Sequence, residues 1–265
     1  MAEREPLRDK AGPDLSYFDI QAYMGTTKHL GGFETTRELI DLCDVSGDTV
    51  VLDVGCGVGA TACYLARTYG CRVVAVDLRA SMVARTTERA RREGVEDRVT
   101  IKQADALALP FEDARFDVVL CESVATFVAD KPRVVAECAR VAGPDGYVGL
   151  NEQHWIKPPS PELVAYARRV WDIEPDIPSI GTWQGFLEAA GLRDIVVKKY
   201  HFDARRESSQ LRRYSLGDML RMFGRLVPLY ARDPAFRAYV RARRHVPKGL
   251  FDYLGYGLFV GRRAS

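Results

Sequence analysis

The sequence predicts an α/β protein in which a parallel sheet carries helices on both faces, and three observations lead there. Short β-branched and apolar runs alternate with amphipathic stretches of helical length between residues 50 and 150. Gly70, Gly94 and Gly143 stand where those helices should stop in a left-handed cap. Finally, 265 residues with 47% hydrophobic and 28% charged side chains suit one large folded domain and exclude intrinsic disorder.

Strands are expected at Val50–Val54, Arg72–Val76, Val99–Lys102, Phe116–Cys121 and Tyr147–Leu150, separated by helices at Ala60–Tyr69, Ser81–Glu93 and Lys131–Val141. Ahead of them, residues 1–13 read as a frayed polar start. Residues 14–31 read as an aromatic cap segment, and Leu39, Ile40 and Cys43 have helical spacing. Past Asn151 the rhythm changes. Three prolines, Pro158, Pro159 and Pro161, precede helices near Glu162–Trp171 and Trp183–Ala190, and strands recur at Ile195–Phe202 and Tyr253–Val260. Residues 204–250, between those strands, are too long for a hairpin loop and are helical in pattern.

Total charge is +2, which gives no sign of a nucleic-acid partner. No apolar run reaches 18 residues and the first ten residues are charged, so neither a membrane span nor a secretory signal is expected. Cys43, Cys56, Cys63, Cys71, Cys121 and Cys138 form no C-x-x-C pair, which predicts reduced thiols in a cytoplasmic protein and no metal site.

The chemistry gathers at the carboxyl ends of the strands. VLDVGCGVGA places Asp53, Gly55, Cys56, Gly57 and Gly59 at the first strand-to-helix turn, where glycines admit a ligand close to the backbone. The spacing is D-x-G-x-G-x-G rather than the dinucleotide G-x-G-x-x-G, and a carboxylate before the turn suits an ammonium better than a pyrophosphate. Asp77, 24 residues later, can accept both hydroxyls of a ribose. Asp105 and Ala106 can read an adenine edge, with Leu78 and Met82 sandwiching the ring.

These motifs, with VVAVDL, QADALALPFED and FDVVLCES following in order, resemble the seven-stranded (class I) S-adenosylmethionine-dependent methyltransferases over about residues 31–152. The resemblance implies a Rossmann-like sheet of six parallel strands plus an antiparallel seventh, and S-adenosylmethionine as cofactor. Asp53 and Gly55–Gly59 would hold its methionine part, Asp77 the ribose, and Asp105 with Ala106 the adenine. It also divides the chain into a cap at 1–31 and a methyltransferase domain at 32–265. Residues 204–250 then become a helical lid leaving the active edge of the sheet.

The expected partner is a small-molecule methyl acceptor. Glu122, also placed at the cofactor, and Glu152 end the fourth and fifth strands and are read as an acidic wall, or else as structural carboxylates. His29 and His154 are the histidines placed to take a proton, with satisfied or solvent-facing roles as the alternative; His201 and His245 complete the set. Tyr17, Tyr23, Phe127, Trp155 and Trp183 are candidates for an aromatic acceptor pocket.

In the lid, eleven arginines and one lysine stand against Glu207, Asp218 and Asp233, a net +9 that leaves −7 for the rest of the chain. This predicts either a solvated basic face, or recognition of an anionic amphiphile with peripheral contact to a membrane surface. A homodimer is left open.

The region GGFETTRELIDLCDVSGDTVVLDVGCG is similar to phosphoethanolamine and quinone methyltransferases. However, Thr26–Leu30 lacks the tyrosine of the former group's Tyr–His dyad, and Phe127 stands at the place of its histidine. Cys121-Glu122-Ser123-Val124 is not the [DNS]-P-P-[YF] of DNA amino-methylating enzymes, and no cysteine follows Cys138 as arsenite methyltransferases need. The expectation is therefore methylation of a small amphiphilic, isoprenoid or anionic lipid-like acceptor. A polar-amine N-methyltransferase, a non-catalytic cofactor-binding protein and a nicotinamide oxidoreductase remain the alternatives.

Overall fold

A computed structural model describes residues 16–171, 177–243 and 246–264. The expected polar start at 1–13 and His245 lie outside the described residues. Seven strands form one sheet in the order β3-β2-β1-β4-β5-β7-β6. They are β1 (Val50–Val54), β2 (Arg72–Asp77), β3 (Val99–Gln103), β4 (Phe116–Glu122), β5 (Ala142–Trp155), β6 (Leu192–His201) and β7 (Leu254–Arg263). β7 runs antiparallel to both β5 and β6, and the other neighbours pair in parallel.

Side chains alternate across each strand, so each face receives its own core. Leu52, Val119, Val148 and Leu150 pack with Val134 and Cys138 of α5 (Lys131–Val141) and with Trp183 and Leu187 of α7 (Ile180–Ala189). On the opposite face Val51, Val73, Val118 and Leu120 meet α2 (Gly32–Leu42), α3 (Ala60–Thr68) and α4 (Ala80–Glu93). The chain winds from β1 toward β3, then returns to β4 on the other side. That reversal opens a crevice beyond the carboxyl ends of β1 and β4.

Two local expectations are corrected. The helix before β5 does not end on a left-handed Gly143. It stops at Val141, Ala142 is already extended (φ −67°, ψ 141°), and pairing of Ala142 with Phe116 draws Gly143 into β5. β5 also outruns Tyr147–Leu150 at both ends: Ala142 pairs with Phe116 of β4 at its start, and β7 pairs with it from Tyr147 on to Trp155.

The remaining elements cover the carboxyl edge. α1 (Tyr17–Met24) begins in a capping box between Ser16 and Asp19. Between β6 and β7 lie α8 (Ala204–Ser208), a 3₁₀ turn (Ser209–Arg213), α9 (Leu216–Arg232) and α10 (Pro234–Ala242); α6 (Pro161–Trp171) and the short α11 (Leu250–Tyr253) complete the helices named. Ile20 of α1 shares a small core with Leu229 of α9 and Phe236 of α10. The loop after α1 is bound to the same insertion. Tyr214 Oη accepts from Thr27 N (2.8 Å) and donates to Thr27 O (2.8 Å), while Glu207 Oε1 accepts from Gly31 N (2.9 Å). Among the described residues no helix is long and apolar enough to cross a membrane.

Seating of α2 on the sheet depends on Gly149, where an added Cβ would lie 2.7 Å from Cys43 Sγ and 3.0 Å from Leu39 Cδ1. Gly149→Ala is expected to cost about 1–3 kcal/mol of stability by overpacking, read as a lower denaturation midpoint with an unchanged m-value.

Candidate active site

The turn after β1 is shaped by backbone demands. Gly55 and Gly57 have φ of 72° and 55°, and a Cβ on either would lie 2.3 Å from Val124 or 2.6 Å from Thr27. Gly55 N and Cys56 N both donate to Val76 O, tying the turn to β2. Asp77 fastens it from the other side, with Oδ2 accepting from Gly57 N and Oδ1 from Arg79 N, each at 2.9 Å. The result is a bare backbone cradle with one carboxylate at its lip.

This cradle opens into a cavity of about 800 Å³. Gly55, Gly57, Asp77, Leu78, Met82, Asp105, Ala106 and Glu122 line it, so eight of the eleven expected cofactor residues come together. Cys56 and Gly59 do not line it, since both pack against Thr86 behind the turn. Asp53 also lies behind the wall. It is 3% exposed, its Oδ2 is buried without a hydrogen-bond partner, and burial together with the Glu122 charge pushes its carboxyl up to about 7.

Glu122 closes the floor at the end of β4. Its carboxylate accepts from Thr36 Oγ1 (2.6 Å) and Thr61 Oγ1 (3.0 Å), and His29 Nδ1 lies 3.2 Å from Oε1. Burial opposes ionisation, but His29, Arg213 and the Thr36 hydroxyl outweigh it and hold the carboxyl at about 2. Burial and the Arg213 charge lower His29 from its ordinary value, which favours a neutral ring. Nδ1 is buried beside Glu122 without a well-formed hydrogen bond, and the side chain lines the cavity. Arg213, from the 3₁₀ turn of the insertion, donates Nη2 to Thr61 Oγ1 and so joins the same network.

The cavity also has aromatic walls, and Phe18 packs with Met82 beside the glycine turn. Phe18 packs edge-on against Tyr17 (5.5 Å) and Phe127 (4.9 Å), and Phe202 packs on Phe251 (5.1 Å). Burial pushes the Tyr17 hydroxyl up to about 12, so it stays a neutral donor. Lys28 Nζ sits 3.0 Å from Glu207 Oε2, a neutralised pair on the wall.

Several expected site residues are elsewhere. Along β5 the alternation that buries Leu150 sends Glu152 to the same face, away from Gln153, which lines the cavity. Glu152 is fully buried and accepts from Val124 N (3.0 Å), Ala125 N (2.8 Å), Thr126 N (3.0 Å) and the Thr126 hydroxyl. It caps the turn after β4, and no acidic wall with Glu122 exists. His154 is buried beside Gly255, with neither ring nitrogen hydrogen-bonded. Tyr23 packs under α9, Trp155 packs with Leu163 and Tyr166, and Trp183 is a core residue donating Nε1 to Gln153 O (2.8 Å).

The insertion's charge is largely satisfied within the chain. Arg206 reaches Glu38 and Arg212 reaches Glu34, while Arg221 joins Asp218. Arg225 donates to Tyr23 O, Arg237 to Tyr230 O, and Arg243 to Val170 O. Among the described residues no arginine of the insertion lines the cavity. Thr36, Thr61 and Arg213 were not singled out from sequence. The net charge of the insertion is the one signal that pointed toward the last, and it could not select among eleven arginines.

Comparison with known proteins agrees with this geometry. The family described as "Methyltransferase domain" matches residues 52–150. Phosphoethanolamine N-methyltransferase 1 of Triticum aestivum is 33% identical over 171 residues, 63% of this chain and 33% of that one. The 27-O-demethylrifamycin SV methyltransferase of Amycolatopsis mediterranei is 34% identical over 161 residues, 59% of this chain and 58% of that one. This chain therefore matches about a third of the wheat enzyme and under two thirds of the Amycolatopsis one. A putative sarcosine dimethylglycine methyltransferase from Galdieria sulphuraria superposes with a TM-score of 0.74 at 20% identity, covering 93% of this chain and 97% of that one, which places the fold.

Two outcomes follow from the buried carboxylates. Asp53 lies just behind the glycine turn, and its charge is expected to favour a cationic ligand there, so S-adenosylmethionine affinity should weaken as pH falls through about 7 in calorimetric titrations. The ligand's own amino group stays protonated throughout that range, with its pKa near 8 by analogy with other α-amino groups. Glu152→Ala strands three buried amides and should cost about 3 kcal/mol or more in chemical denaturation.

Proposed function

The chain belongs to the seven-stranded, S-adenosylmethionine-dependent methyltransferases, and from that premise we propose that it methylates a hydroxyl of a small, largely apolar acceptor. The cavity suits the cofactor. It offers a backbone cradle that side chains would fill and a carboxylate at the ribose position, with an unpartnered buried carboxylate oxygen behind. At about 800 Å³ it lies in the upper part of the roughly 300–1,000 Å³ common for small-molecule sites, which leaves room for a second ligand.

The observation that carries the reading is the pairing of His29 with Glu122 beside an aromatic wall. Bound S-adenosylmethionine supplies an electrophilic methyl on a sulfonium, and a hydroxyl acceptor must shed its proton as the new bond forms. A neutral His29 can take that proton at Nε2, while Glu122 fixes the ring and stabilises the imidazolium that results. Tyr17, Phe18 and Phe127 keep water from the reacting atoms and present apolar faces to the acceptor's body.

Lys28 and Arg79 are cations on the cavity wall. The first is matched by Glu207 and the second pairs with Asp19 and lies over the Phe18 ring. This favours an amphiphile without a strongly anionic head. A polar amine has less support, because Glu152 does not face the site. The Amycolatopsis relative, whose name is that of a 27-O-demethylrifamycin SV methyltransferase, supports a hydroxyl acceptor.

The test uses methyl-labelled cofactor with a cell extract, partitioned between water and organic solvent. Label should enter the organic phase, and His29→Gln should lower kcat by about a hundredfold or more while leaving cofactor affinity within about twofold. Label confined to the aqueous phase, or a His29→Gln protein of unchanged turnover, would refute the hydroxyl reading. Cofactor binding with transfer into neither phase would point to a non-catalytic protein.

A further inference from the structure

Side chains alternate along β5, so Asn151 and Gln153 share the face that carries Glu122 of the neighbouring β4, which pairs with Asn151. Gln153 stands two residues further out, about 7 Å of strand past the end of β4, and lines the cavity. Its amide is unpaired. Oε1 is buried with no hydrogen-bond partner, and among the described residues none pairs with Nε2. The neighbours explain why. Across the ladder Gln153 faces Tyr256, whose ring stacks on Tyr200 (5.2 Å) and meets Phe202 (5.4 Å), and whose hydroxyl lies at Gly31. Asn151, the next polar residue on that face, donates Nδ2 to Leu30 O (2.9 Å). A buried amide without a partner is costlier than an apolar side chain of the same shape, so its place on the cavity wall calls for a partner that arrives with a ligand.

We infer that Gln153 recognises the methyl acceptor, its amide pairing with a polar group other than the hydroxyl that is methylated, so that the substrate is a largely apolar molecule bearing a second hydroxyl or a carbonyl. The inference rests on the hydroxyl transfer proposed above and narrows its substrate. A reacting hydroxyl has one proton, and His29 is there to take it. Were Oε1 to accept that proton in a hydrogen bond, it would compete with the base. Were Nε2 to donate to the same oxygen, it would draw on the electron pair that attacks the methyl. A second polar group avoids both conflicts. Because a half turn about the last side-chain torsion exchanges oxygen and nitrogen, the amide can accept from a hydroxyl or donate to a carbonyl. Phe127, Phe202 and Phe251 line the same cavity and offer neither function, which leaves them the acceptor's apolar body. A contact made away from the reacting atoms holds substrate and transition state alike, so its loss raises KM and spares kcat.

The experiment measures initial rates with saturating methyl-labelled S-adenosylmethionine and serial dilutions of the organic-soluble fraction of a cell extract as acceptor. For Gln153→Leu the half-saturating amount of extract should rise about three- to tenfold, the size of one lost hydrogen bond. Maximal rate and the cofactor dissociation constant should stay within about twofold. The denaturation midpoint of ligand-free Gln153→Leu should equal or exceed that of the unaltered protein, because leucine leaves no unpaired amide. His29→Gln should differ, losing maximal rate at an unchanged half-saturating amount. An unchanged half-saturating amount for Gln153→Leu, or a rise accompanied by a lower midpoint, overturns the inference. If Gln153→Leu does not fold, Gln153→Met decides by the same two readouts. Failure of the hydroxyl reading shows separately, as unchanged turnover of His29→Gln or as no transfer of label by the unaltered protein, and in the latter case the inference falls with it.

Discussion

Four carboxylates brought to the carboxyl edge of one parallel sheet are the constraint on which the rest of this structure depends. Asp53, Asp77, Glu122 and Glu152 end or nearly end β1, β2, β4 and β5, and burial there penalises ionisation at each. The chain answers each differently. Glu152 is surrounded by amides of the next turn and becomes structural. Asp77 is half-satisfied by two amides and keeps acceptor capacity toward the cavity. Glu122 is matched by two hydroxyls and a histidine. Only Asp53 is left with an oxygen that nothing in the protein fills, and it sits behind the glycine turn that every ligand of that turn must approach.

The cover over this edge is built on the same electrostatic logic at larger scale. An insertion of net +9 stands against a remainder of −7, and six of its arginines reach Glu34, Glu38, Asp218 or a helix carbonyl while Arg213 reaches Thr61. Ion pairs of this exposure are worth little one by one. Their effect is to set where the insertion lies, while the apolar contacts of Ile20, Leu229 and Phe236 supply the burial. Basic composition in a lid is thus a weak guide to an anionic ligand, since in this chain the basic groups find their partners at home.

How much of this was legible before the structure differs by layer. β1 and α5 were readable to the residue, and the glycine turn with Asp77, Leu78, Met82, Asp105 and Ala106 was readable as a set, because those positions answer to backbone geometry and period, which are local. Glu122 and Glu152 looked alike in sequence, each the polar residue where an apolar strand ends. What separates them is the strand's side-chain alternation relative to the cavity and the amides of the turn after the neighbouring strand β4, and neither is local. Trp155 and Trp183 were read as pocket walls because aromatic residues near a site invite it, whereas packing decided otherwise: Trp183 of α7 is fully buried against the sheet.

The division of labour between sheet and cover follows from where the fixed demands lie. The cofactor end is made from backbone at a strand-to-helix turn, where a side chain at Gly55 or Gly57 would collide with Val124 or Thr27, so that end tolerates little change. The aromatic walls of the cavity come instead from side chains of α1, the turn after β4 and the edges of the insertion, outside the strands. Relatives with different named substrates and about one-third identity are what such an arrangement should produce. Glu122, held by Thr36 and Thr61 with His29 beside it, belongs to the sheet edge and its first helices rather than to those rings.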